Sequence, residues 1–131
     1  MSLVEILVAV VILGIGVVGI MSALAFAFTA TGQHRQLAHA NTLAVQAMEV
    51  VADPLQTPWV ACASAQSTYE SVVDAQVEAA VSVISVREWG ATGWQTCATP
   101  VLPLQQITIS APSPDGTSTV TMAVVKRGDT P

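Results

Sequence analysis

The sequence predicts an α+β protein, in which a long N-terminal helix is packed on a small head containing an antiparallel sheet of about four strands. Three observations lead to this prediction. Residues 6–33 are uncharged and mostly apolar, residues 34–53 keep apolar side chains at helical spacing, and the C-terminal half alternates apolar and polar residues between glycine and proline turns. One helix followed by a run of strands is the order typical of α+β folds.

Length and composition fit one membrane segment joined to one small globular head. The chain has 131 residues, of which 52% are hydrophobic and 10% are charged, so it is too apolar for intrinsic disorder. Its net charge is −5 and it has four Lys and Arg residues. Because phosphate binding requires clustered cations, we expect no nucleic-acid partner.

The apolar segment at residues 6–33 is long enough to cross a membrane. As a helix it would span roughly 42 Å, which exceeds the ~30 Å hydrocarbon core of a bilayer. A secretory signal peptide fits poorly, because no basic residue precedes the segment and its apolar stretch is about twice the usual length. A plain single-pass anchor explains the length but does not explain the acid at position 5.

Glu5 is the most informative residue, because it stands at the edge of this apolar segment. A carboxylate in that position is unfavourable unless it has a partner. The nearest cationic candidate is an α-amino group, either that of Met1 or that of a neighbouring copy. We therefore predict that Glu5 pairs with the N-terminal amine of an adjacent subunit, which would stack identical chains.

Three glycines, Gly14, Gly16 and Gly19, lie close together inside the apolar segment among Ile and Val residues. Glycine and β-branched residues are weak helix formers in water, so the helix is expected to loosen here outside lipid. Glycines also let another helix approach closely. Both interpretations indicate packing between helices.

The helix is expected to continue beyond the membrane and to end before Pro54. Apolar side chains recur at helical spacing at Leu37, Ala40, Ala44, Ala47 or Met48, and Val51. We therefore divide the chain into a transmembrane or filament-core helix at 1–28, an amphipathic continuation packed on the head at 29–53, and a β-rich head at 54–131. A helix of about 50 residues would be roughly 75 Å long, so its exposed half requires partners.

The head begins with an expected loop at residues 54–68, followed by a short helical turn or the start of a strand at 69–75. Further on, the apolar alternation changes phase between Val83 and Ile84, which predicts either a β-bulge or a strand buried on both faces. Turns are expected at residues 90–93, between two glycines, and at Ser113-Pro114-Asp115-Gly116. Alternating apolar residues predict strands on both sides of the second turn, at Ile107, Ile109 and Ala111 and at Val120, Met122 and Val124.

Cys62 and Cys97 are predicted to form a disulfide, because an exported head lies in an oxidising compartment. Neither cysteine has a Cys or His neighbour at ligand spacing, so no metal site is expected.

The three tryptophans, Trp59, Trp89 and Trp94, are expected in the head core. A clustered and exposed set would instead favour a ligand-binding or partner-binding head.

The first 14 residues, Met-Ser-Leu-Val-Glu-Ile-Leu-Val-Ala-Val-Val-Ile-Leu-Gly, resemble the mature N-terminus of type IV pilins and of their minor-pilin and pseudopilin relatives. The family pattern is an apolar first residue, then Ser/Thr-Leu-Ile/Val-Glu, then a long apolar helix. Residues 2–5 match in register, and Gly14 matches a common helix glycine. Met1 stands where phenylalanine is usual, and Ser22 stands where many members have a helix-breaking proline.

The resemblance implies the pilin fold and a set of partners. A prepilin peptidase would cleave a leader and methylate the Met1 amine, and the chain would wait in the cytoplasmic membrane with its head outside. Pilus assembly machinery would then extract it into a homopolymer, with the apolar helices in the core and Glu5 against the Met1 amine of a neighbour. The product would be an extracellular filament on the cell surface, of the kind that serves adhesion or motility.

Three other interpretations remain open. The chain could be a minor pilin, or a pseudopilin of a secretion or DNA-uptake apparatus, and copy number distinguishes these from a major subunit. It could also be a membrane-anchored binding or adhesion module. A tethered enzyme has little support, because the sequence has no Gly-rich phosphate loop, no plausible catalytic set and no haem-attachment motif. We therefore expect neither catalytic residues nor a cofactor.

Overall fold

The computed structural model of the chain describes residues 2–77, 80–97 and 102–128. These residues form the predicted α+β arrangement, a long N-terminal helix packed on a four-stranded antiparallel sheet. The helices are α1 (Leu3–Ala52) and α2 (Cys62–Gln76), and the strands are β1 (Ser82–Gly90), β2 (Gly93–Gln95), β3 (Leu102–Pro112) and β4 (Thr119–Arg127). The chain divides into two compact units, Met1–Arg35 and Gln36–Pro131.

Helix α1 ends at Ala52, just before Pro54, as the sequence predicts. Proline lacks an amide hydrogen and its ring clashes with the preceding turn, so it cannot continue the helix. The carboxylate of Asp53 stabilises the exit from the helix. It accepts hydrogen bonds from the amide of Leu55 at 2.9 Å and from the side-chain amide of Gln56 at 3.0 Å.

The C-terminal part of α1 belongs to the second unit and contributes to its core. Its buried residues are Ala40, Ala44, Ala47 and Val51. These positions form one face of the helix, and their small side chains allow the helix backbone to approach the rest of the head. The predicted apolar stripe is therefore confirmed from Ala40 onward, whereas Leu37 is 41% exposed.

Helix α2 lies partly in a segment that we predicted to be a loop, so the prediction for residues 62–68 is wrong. The segment contains several Ser and Thr residues, which are weaker helix formers than Ala or Leu. Its buried side chains are Cys62, Ala65, Tyr69 and Val73, which share one helical face. Because α2 contacts β1, tertiary packing of this narrow face stabilises a helix that local propensity does not predict.

The four strands are ordered β2-β1-β3-β4, and each neighbouring pair is antiparallel. The predicted bulge is present in β1. Val83 pairs with Ile109 and Ser85 pairs with Thr108, so Ile84 is the extra residue and is exposed. The bulge allows Val83 and Val86 both to face the core despite their odd spacing, since it reverses the alternation between them.

The turn between β3 and β4 is also confirmed. Gly116 adopts a φ of 69°, a left-handed conformation that favours glycine, and its amide donates to the carbonyl of Ser113 at 2.8 Å. Hydrogen bonds from the hydroxyls of Ser113 and Thr117 to the Asp115 carboxylate lower the pKa of that residue. The turn is therefore stabilised by its own polar side chains.

The core of the head lies between the two helices and one face of the sheet. Its sheet side consists of the inward-facing residues of β1 and β3, among them Val83, Val86, Ile107 and Ile109. The predicted disulfide closes one end of this core. Cys62, the first residue of α2, is bonded to Cys97, which follows β2, with their Cα atoms 5.2 Å apart. The bridge thus joins the start of a helix to the end of the edge hairpin.

Loss of this bridge is expected to destabilise the head strongly. Replacement of Cys62 and Cys97 by serine should lower the free energy of unfolding by roughly 3–4 kcal/mol, because the unfolded chain gains loop entropy. Urea denaturation of the full chain in detergent measures this change. Each single serine variant is the control and should lose about as much as the double variant. Two reactive thiols in the unreduced wild-type protein would contradict the assignment.

Candidate functional site: the apolar N-terminal helix

The first unit is an α-helix whose apolar side chains are uncovered on every side. Large hydrophobic residues are exposed along it from Leu3 to Phe28, and Phe26 is 81% exposed. Among the described residues, this one helix is long and apolar enough to cross a membrane. A helix that is hydrophobic all round is stable only when lipid or other helices surround it.

Glu5 lies in the first turn of this helix and is exposed. Its amide donates to the carbonyl of Ser2 at 3.0 Å, which closes the first turn. A carboxylate in a first turn interacts favourably with the positive end of the helix dipole. Along the sequence the next ionisable side chain is His34, so Glu5 is the single charged side chain of a long apolar segment. Met1, whose amine is the predicted partner of Glu5 and the predicted site of methylation, lies outside the described residues.

Gly14, Gly16 and Gly19 lie on the same uncovered helix, which is continuous through them. A Cβ atom built at any of the three meets nothing within 4 Å in this chain. They therefore leave shallow, open positions where the backbone of another helix can approach. The predicted loosening of the helix at this stretch remains a prediction.

The hydroxyl groups of this apolar helix are satisfied by the helix itself, a feature that our sequence analysis missed. The Ser22 hydroxyl donates to the carbonyl of Val18 at 2.9 Å, and Thr29 and Thr31 make the same bond one turn back. An internally bonded hydroxyl can enter an apolar environment without leaving an unpaired donor. The signal in the sequence was the occurrence of isolated Ser and Thr residues in an otherwise apolar helix.

In the second unit, a buried lysine holds the C-terminal end of α1 against the last strand. Lys126 is only 4% exposed, and its ammonium donates to the carbonyl of Val51 at 2.7 Å and to the carbonyl of Thr57. The ammonium also lies 5.5 Å from the centre of the Tyr69 ring. Carbonyl groups at a helix C-terminus carry partial negative charge, so this cation satisfies otherwise unpaired acceptors.

A second polar network crosses the head core near this lysine. The Tyr69 hydroxyl donates to the side-chain carbonyl of Gln105 at 2.8 Å, and the Gln105 amide donates to the carbonyl of Val60 at 2.8 Å and to Glu88 at 3.3 Å. Burial raises the pKa of Tyr69. These bonds join the segment before α2, α2 itself, β1 and β3. Gln105 and Glu88 both occupy inward, buried positions, and the sequence analysis did not identify either of them.

The tryptophans are not in the core, so that expectation was wrong. Trp89 and Trp94 face each other across β1 and β2 with ring centres 5.2 Å apart in an edge-to-face arrangement, and Trp89 is 36% exposed. In β1, Trp89 alternates with the buried residue Glu88, so it lies on the sheet face that points away from the core. Trp59 is half-buried elsewhere, with its ring against Gly128.

The predicted site residues therefore fall into two groups. Glu5 and the three glycines belong to the uncovered helix of the first unit, and the two cysteines form a bond in the second. In the part of the chain that the structure describes, no group of three or more His, Cys, Asp and Glu side chains is arranged to hold a metal ion.

No protein-family model matches this chain, and no curated protein or solved structure matches it with significance. The resemblance to type IV pilins is thus carried by the pattern of residues 1–14 themselves. What the structure adds is the uncovered state of the helix that bears this pattern.

The role of Lys126 is tested by Lys126→Met, which keeps the apolar stem and removes the donors. Because the carbonyl groups of Val51 and Thr57 would lose a charged partner, the free energy of unfolding should fall by about 1.5–3 kcal/mol. Urea denaturation of the full chain in detergent measures it. Arg127→Met is the matched control, since Arg127 is adjacent and exposed. Equal, small effects of the two substitutions would show that Lys126 does not hold the helix end.

The contribution of Lys126 should also depend on pH. Burial lowers its pKa below the ordinary value of 10.5, although nearby Asp53 opposes part of the shift. Between the lowered pKa and 10.5, the unfolded chain binds more protons at this position than the folded chain, so stability from this group rises with pH. The difference in free energy of unfolding between wild type and Lys126→Met should therefore grow as the pH approaches 10.5. A difference that shrinks over that range would contradict the assignment.

Proposed function

We propose that this chain is the structural subunit of a type IV pilus-like extracellular filament, which polymerises through its apolar N-terminal helix. The observation that carries the proposal is the uncovered helix of the first unit, which is apolar on all sides and has one carboxylate in its first turn. Such a helix requires a surrounding of lipid before assembly and of identical helices afterwards.

The single charge supports a filament more than a plain anchor. A simple membrane anchor gains only a helix-dipole interaction from an acid at its edge, whereas a stack of helices also gains a means of selecting the register. In the proposed filament, Glu5 pairs with the Met1 amine of an adjacent subunit, and the two charges are neutralised in a dry core. Removing one partner would leave the other unpaired, which costs about 3–5 kcal/mol.

The remaining features fit storage in the cytoplasmic membrane with the head outside. The disulfide between Cys62 and Cys97 is typical of an oxidising compartment. The hydroxyls of Ser22, Thr29 and Thr31 are bonded within the helix, so this segment can enter lipid. In this proposal the chain is not an enzyme, and a separate prepilin peptidase and assembly machinery process, methylate and extract it.

A minor pilin or a pseudopilin of a secretion or DNA-uptake apparatus would use the same helix. Abundance separates these roles, because a major subunit dominates sheared filaments on a gel and a minor one is present in traces.

One observation favours a different class, a membrane-anchored binding module: the Trp89–Trp94 pair lies on the outer face of the sheet and is partly exposed. Electron micrographs of purified material separate that class, since a binding module would give micellar particles and a pilus subunit would give thin filaments.

The role of Glu5 is tested by Glu5→Ala and Glu5→Gln. Both variants should accumulate in the membrane at wild-type levels. Their incorporation into sheared filaments should fall by on the order of a hundredfold, because the amine of each neighbour loses its partner. Quantitative immunoblots of the membrane and filament fractions measure both effects.

The control for this experiment is Asp115→Asn, which removes one negative charge from the β3–β4 turn and keeps an acceptor oxygen. It should assemble like the wild type. Filaments of normal abundance from Glu5→Ala would overturn the proposed pairing.

A further inference from the structure

The head has a second exposed surface, which we call the outer sheet face. It consists of the residues of the strands that alternate with the core residues and therefore point away from both helices. Its most prominent members are Arg87, Trp89, Trp94, Val125 and Arg127. In the described residues, the core that joins α1 and α2 to the sheet contains only residues of the opposite face, so no helix covers the outer one.

The outer sheet face is the cationic side of an acidic protein. Apart from Arg35, the chain has three Lys and Arg residues, and Lys126 is turned into the core. The other two, Arg87 and Arg127, are both exposed on the outer sheet face. Arg87 on β1 pairs with Gln106 and Arg127 on β4 pairs with Leu104, so β3 lies between the two arginines. The spacing of strands and residues in the ladder places the Cα atoms of Arg87 and Arg127 about 12 Å apart.

The opposite side of the head is acidic. Glu49 on α1 and Asp74 on α2 are exposed, and Asp53 is half-buried. Glu49 and Asp53 line an open cleft together with Gln76 at the end of α2, so the acids of α1 lie beside the last turn of α2. We call this surface the acidic helical face. After Arg35 neither helix carries a Lys or Arg residue.

The side chains of the outer sheet face are of the kind that binds proteins. Arginine and tryptophan are enriched at the energetic centres of protein interfaces, because each combines a large contact surface with a polar or cationic group. Trp89 is exposed beside Arg87 on β1, and Val125 adds an exposed apolar side chain on β4, on the other side of β3. The polar residue Gln106 on β3 lies between Arg87 and Val125, since it pairs with both of them.

We propose that the outer sheet face of one subunit binds the acidic helical face of a second copy of this chain. The two surfaces carry opposite charges and lie on opposite sides of the same head. A contact between different surfaces of identical chains is heterologous, so it continues from copy to copy into an open polymer and does not close into a dimer. Complementary charge at such a contact determines the orientation of the partners and disfavours wrong registers.

This inference rests on the proposed filament function and adds the contact between heads that the helices alone do not specify. The N-terminal helices contain a single acid each, so they can select an axial register but have little means to select the rotation of one head against the next. A cationic sheet face against an acidic helical face supplies that selection.

Charge reversal in the full chain tests the contact. Arg87→Glu with Arg127→Glu makes both faces acidic, and Glu49→Lys with Asp74→Lys makes both faces basic. For each double variant, the amount of subunit in sedimented filaments should fall at least about tenfold, because the two contacting faces then carry like charges. The chain with all four substitutions has complementary faces again and should recover most of the wild-type amount.

The two double variants also separate this contact from a general effect of net charge. The arginine reversals make the chain more negative by four charges from −5, whereas the acid reversals make it less negative by four. If net charge governed assembly, the two variants would change in opposite directions, and that result would overturn the proposal. The proposal would also be overturned if the chain with all four substitutions did not recover its incorporation into filaments although its unfolding temperature in detergent equalled that of the wild type.

A cross-linking experiment on the otherwise native chain separates failure of this contact from failure of the filament function. A benzophenone amino acid at position 106, between the two arginines, should cross-link to peptides of α1 or α2 of another copy. Filaments whose cross-links go to any other surface would refute the contact and leave the filament function intact. Cross-links to α1 or α2 from membranes without filaments would support the contact and count against the filament.

Discussion

The structure depends on one constraint, which is that the first unit of this chain cannot bury its apolar surface by itself. Each large aliphatic or aromatic side chain between Leu3 and Phe28 would be stabilised by about 1.5–3 kcal/mol if fully removed from water, and all of them are exposed. Only lipid or other helices can provide that cover. A single acid in this surface then matters greatly, because a dry environment tolerates a charge only when it is paired.

The second unit has a hydrophobic core of its own, made from the end of α1, from α2 and from the sheet. Its core is small, with alanines on α1 and Val and Ile residues on the strands, and small cores stabilise a fold only weakly. Three connections compensate for this. The disulfide joins α2 to the edge hairpin, Lys126 joins the last strand to the end of α1, and the Gln105 network joins α2 to the two central strands. All three link segments that are distant in sequence.

The same head separates charge between its two sides. Alternation along β1 and β4 places Arg87 and Arg127 outward, while Lys126, adjacent to Arg127, points inward. Two neighbouring cations of one strand therefore lie on opposite faces of the sheet, one in the core and one at the surface. The helices expose their acids because their small apolar faces are used for packing. A two-sided head of this kind suits repeated contacts in one direction, which is the geometry that a filament requires.

The sequence by itself determined the long helix, its end before Pro54, the bulge at Ile84, the β3–β4 turn and the cysteine pair, because each depends on local periodicity, turn chemistry or composition. Tertiary structure alone decided the rest. Helix α2 forms although its Ser and Thr residues are modest helix formers, because its narrow apolar face packs on β1. Glu88 and Gln105 are buried because partners from distant segments satisfy them, and Lys126 points inward because the end of α1 lies there. Such residues are recognisable only when the fold has brought donor and acceptor together, since neither sequence spacing nor propensity records contacts between distant segments.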